Sequence, residues 1–181
     1  NSEMPNHIRL RRSTPNVGGN VYFRANVGIN DNPRGFADSL RTDFYRFLSL
    51  LPRMMFKDTV APNPPRNIRY ARLPNNGPAA LQWDLPIVGG GDTASRYAVY
   101  RFDHSPFLPI ELDSAKNMIA IEGRRYNTPP VPPNIGGPYY YVATALDRNY
   151  NEGVWSSVLS VSPAASPALV YPANGAINQP S

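Results

Sequence analysis

The stretch that decides the fold is PYYYVATAL, residues 138–146. Tyrosine, valine and threonine dominate it, and these residue types favour β-strands. Because successive side chains of a strand point to opposite faces, Tyr139 and Tyr141 are predicted to face a core and Tyr140 to point away from it. A turn rich in proline and glycine precedes the stretch, and the polar turn DRNYNEG follows it. The stretch therefore predicts one strand with a buried face and an outer face.

Six other short stretches have the same character and complete a predicted all-β region. They span residues 66–73, 79–85, 96–102, 117–123, 124–129 and 153–162. Turn signals that contain proline, glycine or asparagine separate them, such as LPNNGP and IVGGGDT. In the third strand, Tyr97 and Val99 are predicted to share one face, and Tyr100 and Phe102 the other. Seven short strands with turns at this spacing predict a β-sandwich.

The chain has a different pattern before the proline run in DTVAPNPPRNIRY, residues 58–70. Residues 20–25, NVYFRA, predict a strand buried on both faces, because their apolar residues are consecutive. Residues 33–51 predict an amphipathic helix that ends before Pro52. Its predicted apolar stripe consists of Phe36, Ala37, Leu40, Phe44, Phe47, Leu48 and Leu51. A lone strand leaves its backbone groups unpaired, so this βα unit is predicted to dock onto the sandwich, to dimerise or to complete a larger α/β domain.

The composition excludes several kinds of protein and site. The chain has 181 residues and no cysteine, which excludes disulfides and thiolate chemistry. No run of about 18 apolar residues is present, so no transmembrane segment is predicted, and the start NSEMPNHIRLRR does not resemble a signal peptide. His7 and His104 have no second ligand at a metal-binding spacing, and no phosphate-binding glycine loop occurs. Neither a metal site nor a cofactor is therefore predicted.

Positive charge is concentrated in residues 1–56, which carry eight arginines and four acids. Nucleic-acid binding through this arginine-rich segment is one interpretation, because such cations contact phosphates. The arginines are scattered and lack interleaved aromatic residues, so a solvated or barrel-type surface is favoured and no nucleic-acid partner is expected. The four acids are interpreted as capping or surface charges, and no catalytic residue is predicted. They are Glu3, Asp31, Asp38 and Asp43.

Residues 62–162 resemble a fibronectin type III domain. The resemblance rests on PNPPRNI at the first strand, LQW at the second, YAVYR at the third and YYYVATALD at the sixth. It implies that Trp83 is the family's core tryptophan and that Tyr139 is its tyrosine corner, whose hydroxyl bonds back to the backbone. The implied fold class is a seven-stranded, immunoglobulin-like sandwich preceded by one βα unit. The implied core residues are Trp83, Tyr97, Val99, Tyr139 and Tyr141.

The first part, GNVYFRANVGINDNPRGFADSLRTDFYRFLSLLP, resembles the carboxyl end of bacterial, Bacteroides-type family 10 glycosylhydrolase-like proteins. The resemblance implies that residues 20–25 are the last strand of a TIM-type barrel and residues 33–48 its last helix. Arg24 and Asn26 would then lie at the strand end where barrels place their sites, which makes them candidate sugar ligands. Such proteins are secreted or lipid-anchored, so the resemblance implies a secreted, periplasmic or cell-surface location.

Three segments are predicted from these patterns: a barrel remnant at 1–56, a fibronectin type III domain at 57–162, and a Pro/Ala-rich linker with the start of a further domain at 163–181. The predicted function is a non-catalytic accessory or spacer region of a secreted glycoside hydrolase-like protein that acts on polysaccharide. The predicted partners are the parent barrel, neighbouring modules and polysaccharide. A homodimer through residues 1–56 is a further prediction.

An alternative function comes from the outward-facing aromatic residues. Tyr100 and Phe102 share the outer face of the third strand, and Tyr140 is predicted to lie on the outer face of the sixth. Such a patch would suit stacking on sugar rings or packing against a neighbouring domain. The alternative is therefore a carbohydrate- or protein-binding sandwich module, and nucleic-acid binding is the second alternative.

Overall fold

Two antiparallel β-sheets form the main body of the molecule. The computed structural model describes residues 3–17, 35–129 and 137–162. These residues contain seven strands: β1 (Arg66–Arg72), β2 (Ala79–Asp84), β3 (Arg96–Phe102), β4 (Met118–Glu122), β5 (Tyr126–Asn127), β6 (Tyr139–Leu146) and β7 (Leu159–Val161). One sheet has the order β1-β2-β5 and the other β4-β3-β6-β7. This arrangement confirms the predicted seven-stranded sandwich.

The core between the two sheets is aromatic and contains the residues that period-2 alternation places inside. Ile68, Leu81 and Trp83 come from the three-stranded sheet, and Tyr97, Val99, Ala120, Tyr141, Ala143 and Ala145 come from the four-stranded sheet. The rings of Trp83 and Tyr97 meet edge to face with centroids 5.4 Å apart. Tyr139 is half-buried at the margin of this cluster. Packing of this kind holds the sheets face to face.

The outer face of the four-stranded sheet is also buried. Ala98, Tyr100, Phe102, Met118, Val142 and Leu146 form a second apolar cluster there. Phe107, from the loop between β3 and β4, stacks on Phe102 with ring centroids 4.0 Å apart. Leu50 and Trp155 pack against the same cluster. The four-stranded sheet therefore has cover on both faces, and the β3–β4 loop supplies much of the outer layer.

The last strand is shorter than predicted. Regular pairing with β6 begins only at Leu159, although the N–H groups of Gly153 and Ser156 already donate to Ala145 and Ala143 of β6. Gly153 lies so close to the chain before β1 that an added Cβ would collide with the carbonyl oxygen of Pro62. The close passage of these two segments accompanies the interruption of the ladder, and glycine leaves room for it.

Within residues 3–17 and 35–65, two short helical pieces precede the sandwich. The first is α1 (Glu3–Ser13), a helix that the sequence did not predict. The second, α2 (Phe36–Ser39), continues as a π-helical segment, Leu40–Phe44. Ile8 of α1 is buried with Phe36 and Phe44. The predicted strand 20–25 and the predicted helix start lie outside the described residues.

The second helix ends earlier than predicted. Arg12 of α1 donates from Nη2 to the carbonyl oxygen of Phe44 at 2.6 Å, and this carbonyl is one that a longer helix would have used internally. The helix therefore stops at Phe44, and Phe47, Leu48 and Leu51 are exposed rather than part of an apolar stripe. Among the described residues, no helix is long and apolar enough to cross a membrane.

β1 lies at the edge of the three-stranded sheet. Arg66, Arg69 and Arg72 are exposed along it, and Arg69 pairs with Asp84 of β2 at 3.1 Å. The register shifts between Arg66 and Arg69, where Asn67 has a positive φ of 50°. This irregularity has the character of a β-bulge, which bends the edge and breaks its row of hydrogen-bonding groups.

Candidate functional site

The aromatic residues predicted to form an outer patch are not exposed. Tyr100 is 1% exposed and Phe102 is 2% exposed, and Tyr140 is half-buried against the same cluster. The hydroxyl of Tyr100 donates to Glu152 at 2.7 Å. Burial and the neighbouring Glu152 raise the pKa of Tyr100. The expectation of an open aromatic surface failed because the β3–β4 loop folds over it.

The two predicted sugar ligands at the end of the first strand, Arg24 and Asn26, lie outside the described residues. The same holds for residues 130–136, where the backbone partner of a tyrosine corner at Tyr139 would be found. The Tyr139 ring does lie beneath the Arg101 guanidinium, 4.9 Å from ring centroid to Cζ. The roles predicted for Arg24, Asn26 and the Tyr139 hydroxyl therefore stay predictions.

Two of the arginines considered as phosphate ligands instead connect the N-terminal helices. Arg9 forms an ion pair with Asp43 at 3.3 Å and lies over the Phe44 ring. Arg12 lies over the same ring and also binds the Phe44 carbonyl. Asp38 and Arg41 form an exposed ion pair at 3.9 Å. The charged side chains of these helices therefore contribute to the packing of one helix against the other.

A cluster of three carboxylates lies where the chain enters the sandwich. Asp58 precedes β1, Asp92 lies in the loop after β2, and Asp147 follows β6. Each offers an oxygen, and these oxygens lie within 4.8 Å of one another. Hard cations such as Ca²⁺ take about six to eight oxygen ligands, so the three groups would supply only part of a coordination shell. The sequence predicts no metal site and does not reveal this cluster, because its members are far apart in the chain.

Asp147 organises the turn that carries it. One oxygen accepts hydrogen bonds from the backbone N–H groups of Asn149 and Asn151, at 2.7 and 2.8 Å. The other accepts from the Asn151 side-chain amide at 2.8 Å. That amide also donates to the carbonyl oxygen of Asp58 at 3.1 Å, which ties the turn to the chain before β1. A backbone hydrogen bond from Val60 lowers the pKa of Asp58. Asp147 therefore has a structural role whatever the cluster binds.

His104 lies between two carboxylates at the start of the β3–β4 loop. Its Nδ1 is 2.8 Å from Asp103, and its Nε2 is 3.2 Å from Glu111. Glu111 also accepts the backbone N–H of Leu108 at 2.6 Å. The hydrogen bonds to Asp103 and then Glu111 raise the pKa of His104. From the sequence this histidine is predicted to be isolated, since Glu111 is seven residues away in the chain.

We expect Asp103→Asn and Glu111→Gln each to lower the pKa of His104 from its raised value towards 6.5. A raised pKa means that protonated His104 favours the folded state below about pH 6.5, and that this contribution is lost as the pH rises through the folded value. NMR titration of the imidazole Cε1 proton measures the change. Glu122→Gln, at a carboxylate outside this group, is the control. An unchanged His104 titration in both test variants would contradict the contacts.

Comparison with curated proteins identifies one relative among glycosyl hydrolases. The chain is 28% identical over 153 residues to Glycosyl hydrolase YngK of Bacillus subtilis (strain 168). The aligned region covers 83% of this chain and 28% of the relative, so the chain spans less than a third of that protein's length. No protein-family model matches the chain. The chain is therefore similar to one region of a much longer protein.

The solved structures that are similar to part of the chain include a fibronectin-like protein and titin domains. A Fn3-like protein from Clostridium thermocellum is 21% identical, with a TM-score of 0.38, over 59% of this chain and 99% of that one. Titin kinase and its flanking domains match at 16% identity and a TM-score of 0.35, over 57% of this chain and 17% of that one. At these identities and scores the likeness carries no functional argument, and the strand order itself defines the sandwich.

Proposed function

We propose that the chain is a non-catalytic accessory region of a secreted glycoside hydrolase-like protein that acts on polysaccharide. The observation that carries the proposal is the similarity to Glycosyl hydrolase YngK over 83% of this chain. The aligned length exceeds residues 57–181, so the similarity includes part of the N-terminal segment as well as the sandwich. This extent favours a shared two-part region over the chance likeness of one common fold.

The proposal includes the finer assignments made from the sequence. Residues 1–56 would be the end of a family 10 glycosylhydrolase-like barrel, residues 57–162 its fibronectin type III domain, and residues 163–181 the link to a further module. The exposed apolar side chains after α2 support a missing neighbour, because large exposed apolar surfaces usually mark an interface. They are Tyr45, Phe47, Leu48, Leu51, Met55 and Phe56. Alternatively, a homodimer through residues 1–56 would bury the same exposed side chains.

A non-catalytic role is supported by the hydrogen bonds that already engage Asp147 and Glu111, two carboxylates in loops. Glycoside hydrolysis uses two carboxyl groups that flank the scissile bond. Asp147 is 1% exposed and is held by the hydrogen bonds of its own turn. Glu111 is engaged with the Leu108 N–H and His104. These groups stabilise loops, and the reaction is assigned to the part of the longer protein that precedes the sandwich.

We expect the purified 181-residue chain to release no reducing sugar from polysaccharides, whereas the full natural protein that contains it releases sugar from at least one. The measurement is a reducing-end assay of both proteins on the same set of glucans, xylans and chitins. The control is the full protein with its barrel carboxylates replaced by amides, which should lose activity while keeping its fold. Hydrolysis by the chain alone, or a natural protein no longer than the chain, would contradict the proposal.

A further inference from the structure

A groove opens on the outer side of the four-stranded sheet. It is lined by residues 50–53, by three residues of the short 3₁₀ turn Pro109–Asp113, and by residues 150 and 152–155. Its volume is about 560 Å³. This volume lies within the range of roughly 300–1,000 Å³ that is usual for small-molecule sites. The groove thus has the size of a binding site and lies on the layer that covers the second apolar cluster.

Trp155 supplies a fixed aromatic surface in this groove. Its ring centroid lies 5.9 Å from that of Phe107, at an interplanar angle of 58°. Phe107 is in turn stacked on the buried Phe102. The indole is therefore anchored through two rings to the sheet, while Trp155 itself stays half-exposed at the groove. A large aromatic surface held in this way suits stacking on a flat apolar face of a ligand.

Glu152 supplies an oriented acceptor beside the indole. Its Oε1 accepts hydrogen bonds from Tyr100 Oη at 2.7 Å and from Thr144 Oγ1 at 2.6 Å. These two bonds fix the carboxylate plane. The other oxygen, Oε2, accepts no hydrogen bond from the residues that the structure describes. One oxygen of Glu152 is therefore held by the fold, and its partner is available to a ligand hydroxyl.

Two further charged side chains complete the lining. Asp113 belongs to the 3₁₀ turn and Arg53 to the segment before β1, and both are exposed. Burial and Glu152 are the main causes of the raised pKa of Tyr100, and Asp113 adds a smaller electrostatic contribution. Asp113 and Glu152 both line the groove. Arg53 supplies hydrogen-bond donors there.

The aromatic, acidic and basic side chains of the groove together indicate which class of ligand would bind there. A pyranose ring has one face of C–H groups that packs on an aromatic ring, and a rim of hydroxyls that donate to carboxylates and accept from a guanidinium. A cationic amine would also suit Trp155 and two carboxylates, but Arg53 opposes a second positive charge. We infer that the groove binds a sugar ring of a neutral polysaccharide, with stacking on Trp155 and hydrogen bonds to Asp113, Glu152 and Arg53. The inference rests on the proposed function for the nature of the ligand.

Titration of the chain with neutral oligosaccharides tests the inference. The probes are cellohexaose, xylohexaose, chitohexaose and maltohexaose, and tetramethylammonium represents a cationic ligand. Binding is measured by calorimetry and by tryptophan fluorescence. A fluorescence change is attributed to Trp155, because the other tryptophan, Trp83, is only 1% exposed and lies in the core. We expect at least one oligosaccharide to bind and to change the fluorescence. Asp113→Asn and Trp155→Phe should each weaken its binding by about tenfold, since each loses one strong contact.

The matched control is Asp103→Asn, which removes an exposed carboxylate of the same loop outside the groove. It should bind the oligosaccharide as the unaltered chain does. No response to any of the four sugars at millimolar concentration overturns the inference, as does binding of tetramethylammonium alone or undiminished binding in both groove variants. Failure of the proposed function is separate, because hydrolysis by the full natural protein can be present without binding in this groove, and binding without hydrolysis.

Discussion

Replacement of Trp83 by alanine is expected to lower the free energy of unfolding by about 3–5 kcal/mol. Trp83 is 1% exposed and lies between the two sheets, where it meets Tyr97 edge to face. Removal of the indole leaves a cavity that the surrounding strands fill only in part, because both sheets are fixed by their own hydrogen-bond ladders. Tyr97 also loses its aromatic partner. This is the largest single effect that the sandwich core is expected to show.

Chemical denaturation followed by far-ultraviolet circular dichroism measures this change without dependence on the tryptophan signal. Trp83→Phe is the control, because it keeps an aromatic ring in the core. The indole N–H of Trp83 is buried and makes no hydrogen bond with the described residues, so its removal by phenylalanine offsets part of the lost packing. We expect Trp83→Phe to cost less than half as much as Trp83→Ala. Equal and small losses in both variants would contradict a core position for residue 83.

The second large effect is expected at Asp147. Replacement by alanine removes the acceptor of three hydrogen bonds at once, two from backbone N–H groups and one from the Asn151 amide. Asn151 is 2% exposed, so its N–H cannot turn to water instead. Unsatisfied buried donors cost about 1–3 kcal/mol each, so we expect Asp147→Ala to lower the free energy of unfolding by about 3–5 kcal/mol.

Asp147→Asn separates the hydrogen bonds from the charge. Asparagine keeps one oxygen that can accept from Asn149 and Asn151, and it removes one negative charge from a site where Asp58 and Asp92 lie close by. We therefore expect it to cost less than about 2 kcal/mol. The same denaturation measurement compares the two variants. If Asp147→Asn were as damaging as Asp147→Ala, both carboxylate oxygens would be required, because the introduced amide nitrogen would face the donor amide of Asn151.

The strands were predictable because the signal that defines them is local. Alternation along β3 and β6 assigned Tyr97 and Val99 to the inner face, and the structure places them there. The same alternation correctly assigned Tyr100 and Phe102 to the outer face, but it contains no information about what covers that face. The cover comes from Phe107, Trp155 and Leu50, two of which lie some fifty residues away from β3 in the chain.

The same limit explains the other misses. The end of the second helix depends on Arg12, which belongs to a different helix. The carboxylate cluster depends on the meeting of three separate segments, and only the turn DRNYNEG gave a local sign of it. The contact of His104 with Glu111 spans a loop whose path the composition does not define. Features that arise from one segment were predictable, and features that arise where segments meet were not.

The arginines and the bulge of β1 affect whether such domains, when they occur in tandem, pair incorrectly through their edge strands. A polypeptide with several sandwich domains in tandem has many exposed edge strands at high local concentration. One domain can then pair its edge strand with that of another and misfold. Of the three exposed arginines, Arg69 is paired with Asp84, whereas Arg66 and Arg72 repel the like charges of an identical edge strand. The bend at Asn67 also breaks the straight template that strand addition requires. This edge strand is therefore protected against self-association, and a β1 with threonine at the three arginine positions should form insoluble assemblies during refolding.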